Sequence, residues 1–90
     1  MNTDMNSADF DELAGRIDGV AQAVMLLGAA LEMQRLMDGP YWCALLRQAR
    51  PEALATTPLR QASRRLLQRM AHQLDDARRA RQARPSPSDR

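Results

Sequence analysis

One histidine, one cysteine and two acidic clusters are the side chains of this 90-residue chain best suited to chemistry. His72 precedes Asp75 and Asp76 by three and four residues. On a helix that spacing sets a carboxylate beside the imidazole, an arrangement able to move a proton. A thiol brought alongside, Cys43, would complete a nucleophile and base. An ordinary surface histidine satisfies the same spacing, and nothing in the sequence signals an oxyanion hole. A metal site wants three or four converging ligands, and no second His or Cys stands at ligand spacing. The other acidic cluster, Asp9, Asp11 and Glu12, sits where a helix starts, and Asp9 with Glu12 fits a reciprocal capping box. No glycine-rich loop follows a strand, because no segment alternates like a strand. The expectation is a non-enzyme with no catalytic residue, cofactor or metal, in which Cys43 is a packed thiol beside Trp42.

The elements around these residues are helical. Ala, Leu, Arg, Gln and Met dominate and all 13 basic residues are arginine; these are strong helix formers, so the class is all-α. The arginine and alanine excess also fits the codon bias of a GC-rich genome. From a cap at Ser7 or Asp9, large apolar residues fall at Phe10, Leu13, Ile17, Val20, Val24, Leu27 and Leu31. Their alternating steps of three and four make a heptad seam. The spacing predicts a first helix over 8–37, ended by a left-handed Gly39 before Pro40. A short helix over 40–49 follows, with Trp42, Leu45, Leu46 and Ala49 on one face and Pro51 as its stop. Thr57-Pro58 opens a third helix over 58–82. Its inward residues are read as Leu59, Ser63, Leu66, Leu67, Met70, Leu74 and Ala77. Residues 1–6 read as a flexible start and 84–90 as a disordered tail, leaving one domain over 7–83.

Roughly 75 ordered residues is near the lower limit for an independent core. A single cysteine forms no disulfide within the chain. The start does not resemble a secretory signal, and the longest wholly apolar run has nine residues against the ~20 that span a bilayer. The expected setting is cytoplasmic, without a membrane partner.

That run, Ala23 to Leu31, is apolar on every side of a helix. A hairpin of the two long helices would cover one side and leave Met25, Leu26, Ala29, Met33 and Leu36 in water. Gly28 costs a helix roughly 1 kcal/mol against Ala and marks close packing. The expected architecture is therefore a hairpin of two long helices with a short helix between them, dimerising into a four-helix-bundle-like assembly. Its self-association residues are Val20, Val24, Met25, Leu26, Leu27, Gly28, Leu31, Met33 and Leu36. Another helical protein filling the same groove is the competing partner.

Charge is divided along the chain. Residues 1–18 hold five acids against Arg16, and residues 60–84 hold eight arginines against Asp75 and Asp76. Antiparallel long helices would bring these ends together, within a chain or between subunits. The alternative is a phosphate-gripping stripe of Arg60, Arg64, Arg65, Arg69, Arg78, Arg79 and Arg81. Against nucleic acid stand a net charge of only +2 and the absence of aromatic residues among these arginines. The function expected is a small, self-associating interaction protein (regulator, adaptor or accessory subunit), with dimeric nucleic-acid binding as the alternative.

Overall fold

The computed structural model describes residues 6–84, and those residues are all-helical, without strands. The elements are α1 (Ser7–Met33), α2 (Gly39–Gln48), a single 3-10 turn (Glu52–Leu54) and α3 (Pro58–Ala83). The segment read as a flexible start, up to residue 5, and the tail from residue 85 lie outside the described residues.

Local chemistry explains the boundaries. The α1 start is capped by Asn6, whose side-chain oxygen accepts from the Asp9 backbone N–H at 2.9 Å. Asn6 thus belongs to the helix rather than to a loose start, one residue ahead of the caps expected. Asp38 caps α2 by accepting from Tyr41 N–H at 3.0 Å, with Pro40 in the first turn. Thr57 caps α3 by accepting from Arg60 N–H at 3.1 Å, with Pro58 opening the helix.

The end of α1 departs from expectation. The helix stops at Met33, four residues early, and the left-handed position is Arg35 at φ 63, with no glycine at positive φ. Arg35 N–H donates to the Glu32 carbonyl at 3.0 Å and Leu36 N–H to the Leu31 carbonyl at 2.9 Å. These two bonds are the Schellman pair, which satisfies carbonyls that the helix end would otherwise orphan. Gly39 serves another purpose. It is buried, and a β-carbon there would overlap the Glu32 carboxylate.

The two long helices do not form the antiparallel hairpin expected. Ile17 and Val20 of α1 lie level with Leu66 of α3, while Glu32 lies level with Arg78 and Arg81. Both helices therefore run in the same direction, and the ten residues of α2 run back between them. The radius of gyration is 17.0 Å, against roughly 12 Å for a compact chain of this length. The fold is open.

Its core is small: Ala21 and Met25 of α1, Cys43 of α2, and Met70, Ala71 and Leu74 of α3, with Ala29, Trp42, Leu46 and Leu66 packed around it. Leu59 and Ala77, read as inward-facing, are exposed, and Ala71, not anticipated, is fully buried.

Candidate interaction surface

On α1 the inward face follows Ala21, Met25, Gly28 and Glu32. Each is one residue beyond a member of the apolar seam at Val20, Val24, Leu27 and Leu31. One residue is about 100° of helix rotation. The bulkiest stripe of the sequence is thereby turned away from the core: Phe10 is 61 % exposed, Ile17 49 %, Val20 66 % and Leu27 61 %. Small residues explain the choice. A β-carbon on Gly28 would overlap the six-membered ring of Trp42, so the indole of α2 packs on α1 at a position that only glycine leaves open.

Two expected self-association residues are corrected by this register. Met25 is buried in the chain's own core and Gly28 beneath Trp42, so neither faces outward. The reason is the rotation, which spends the Ala21–Met25–Gly28 face on α2 and α3. Leu31 is half-buried. Val20, Val24, Leu26, Leu27, Met33 and Leu36 are exposed, together with Phe10, Leu13 and Ile17 of the seam. Between seam and core lies an open apolar groove, lined on α1 by Arg16, Ile17, Val20, Ala21 and Val24 and on α3 by Leu66 and Met70.

Polar side chains clamp the opposite end of α1. Arg78 donates from Nε to Glu32 Oε2 and from Nη1 to Asp75 Oδ1, each at 2.5 Å. Asp75 also accepts from Arg47 of α2 at 2.6 Å, and Arg81 reaches Glu32 at 3.4 Å. Glu32, Asp75 and Arg78 are mostly buried, so their charges are strengthened by a lowered local dielectric. Hydrogen bonds from Arg47 and then Arg78 hold the Asp75 carboxyl down at about 2. The Glu32 carboxylate, chiefly, holds Arg78 above the usual guanidinium range. Arg78 Nη2 also lies 3.7 Å from Cys43 Sγ. Cys43 is fully buried, and burial raises its thiol pKa. This cluster ties three helices together and leaves no approach to the sulfur.

His72 Nε2 lies 3.2 Å from Asp76 Oδ2 on the exposed face of α3, while Asp75 is turned toward Arg47 and Arg78. The two acids thus go to different partners. Among the described residues no three His, Cys, Asp or Glu side chains converge as a metal site would require.

The arginine stripe is divided too. Arg78 and Arg81 pair with Glu32, Arg79 with Asp76 and Arg64 with Glu52. Arg60, Arg65 and Arg69 form no ion pair among the described residues. The acidic start of α1 is not what pairs the arginines of α3: Glu12 meets Arg16 of its own helix. Parallel helices keep the acidic start away from the basic end.

By length and composition alone, α1 is also long and apolar enough to cross a membrane, a property that the nine-residue run did not disclose. Compared with models of known protein families, with curated protein sequences and with solved structures, the chain matches none.

Proposed function

We propose that this chain is a non-enzymatic helical interaction protein that works by associating with a second copy of itself, as a regulator, adaptor or accessory subunit. The observation that carries the reading is the exposure of a helical seam already spaced for another helix, from Phe10 through Leu27. Burying an apolar side chain is worth roughly 1.5–3 kcal/mol, and soluble monomers seldom leave so continuous an apolar patch in water. Two α1–α3 pairs meeting through this face form a four-helix bundle.

Protein suits this face better than lipid. Arg16, Asp18 and Glu32 all lie within α1, and each charge at the centre of a bilayer costs roughly 3 kcal/mol. The nucleic-acid alternative is weakened by the ion pairs that engage four of its seven arginines.

Multi-angle light scattering across a range of concentrations tests the proposal. The mass should rise toward twice the 10.1 kDa of one chain. A constant single-chain mass up to high micromolar concentration rejects self-association and leaves a different helical protein as the partner.

A further inference from the structure

We infer that the groove between α1 and α3 is filled by the first half of α1 from a second copy running antiparallel, which sets each acidic helix start beside Arg69 at the middle of the partner's α3. This rests on the self-association proposed above and adds its geometry.

The groove and its occupant are both visible in one chain. The groove has Ala21 between walls of Ile17, Val20 and Val24 on one side and Leu66 and Met70 on the other. Every residue of α1 from Ser7 to Val20 is exposed, although this half carries Phe10, Leu13 and Ile17. It cannot fill the groove of its own chain, because α1 is itself one wall. A second copy can. Since wall and occupant are the same helix, a two-fold axis lets each molecule supply both, and the interface closes on itself without unpaired ends. Exposed side chains of this size offer roughly 60–120 Å² each, so the seam with its flanks approaches the ~800 Å² per partner of a stable interface.

Charge fixes the direction. A parallel pairing would place Asp9, Asp11 and Glu12 beside their own copies. In an antiparallel pairing centred between Ile17 and Val20, residues 9–12 of one copy come level with Met25–Gly28 of the other. Given the parallel course of α1 and α3, that is the level of Met70 to Leu74, with Arg69 the nearest unmatched arginine. Arg69, and Arg65 one turn before it, form no ion pair among the described residues, and neither do Asp9 and Asp11. The charges each chain leaves unmatched are thus complementary between copies.

The test first establishes association by light scattering, then its direction by distances between nitroxide labels. In a Cys43→Ala background of unchanged helicity, single labels are placed at Gln22→Cys or Gln34→Cys. Antiparallel packing puts the Gln22 labels within about 20 Å and the Gln34 labels about 45 Å apart, from the helical rise and helix spacing. Short distances at both positions mean parallel helices and overturn the inference while leaving self-association intact. Absence of any dimer overturns both.

A second measurement needs no cysteine variant. Asp9→Arg with Asp11→Arg, and separately Arg65→Glu with Arg69→Glu, should each weaken association at least tenfold. Mixing the two proteins should restore it. A mixture that associates no better than its components overturns the arrangement.

Discussion

Gly28 of α1 lies so close under the Trp42 ring of α2 that any β-carbon there would overlap it. That contact fixes the rotation of α1 and with it the face left to solvent. It also reverses the usual effect of glycine. Replacing a mid-helix glycine by alanine ordinarily stabilises by roughly 0.5–1 kcal/mol. Gly15 and Gly19 have open space where a β-carbon would go, so Gly15→Ala and Gly19→Ala should follow that rule. Gly28→Ala should instead destabilise by about 1–3 kcal/mol, the cost of forcing atoms into a packed contact. Urea denaturation of the three variants measures this, and equal stabilisation by all three would deny the Trp42 contact.

Arg35 occupies a left-handed backbone position that costs a side-chain-bearing residue about 1–2 kcal/mol. Arg35→Gly relieves it without removing an ion pair among the described residues. Thermal unfolding should show a gain of about 1 kcal/mol, and a loss would mean that α1 ends differently.

The Asp75 carboxyl, held at about 2 by Arg47 and Arg78, links the fold to acid. Its folded value lies below the unfolded one, so its stabilisation is present above pH ~4 and is lost as pH falls toward 2. The amount is on the order of 1–2 kcal/mol. Asp75→Asn should be less stable than the parent at pH 7, and the difference should shrink between pH 4 and 2. A constant difference would mean that the ion pairs contribute nothing through charge. Arg78→Met strands Glu32 and Asp75 with little water around them and should cost about 3 kcal/mol.

Much of this architecture was legible in the sequence, and the failures share a cause. Pro40 marked the start of α2 and Thr57-Pro58 that of α3, because capping and first-turn proline are local chemistry; the Asp38 cap of α2 was not read. The seven-residue rhythm of α1 revealed an apolar stripe, but periodicity does not say which face points inward. That depended on Gly28 admitting Trp42 and on Glu32 meeting Arg78 46 residues away. The direction of α3 was equally hidden. It depends on the length of α2, which with the 3-10 turn returns the chain to its starting side. The acids were read by their neighbours in sequence, whereas Asp75 found Arg47 across the fold.

In the proposed dimer the outward seam, and not the Met25 face, joins the two copies. Sedimentation equilibrium combined with circular dichroism on Val20→Glu and Met25→Glu separates the two faces. Val20 is exposed and Met25 is buried in the chain's core. Glutamate at Val20 should therefore yield a 10.1 kDa monomer that keeps much of its helix, while the parent sediments as a dimer. Glutamate at Met25 should collapse the fold itself, since an unpaired carboxylate in the core costs several kcal/mol. An intact dimer of Val20→Glu, or a parent chain that never exceeds one copy, would rule out the seam as the joining face.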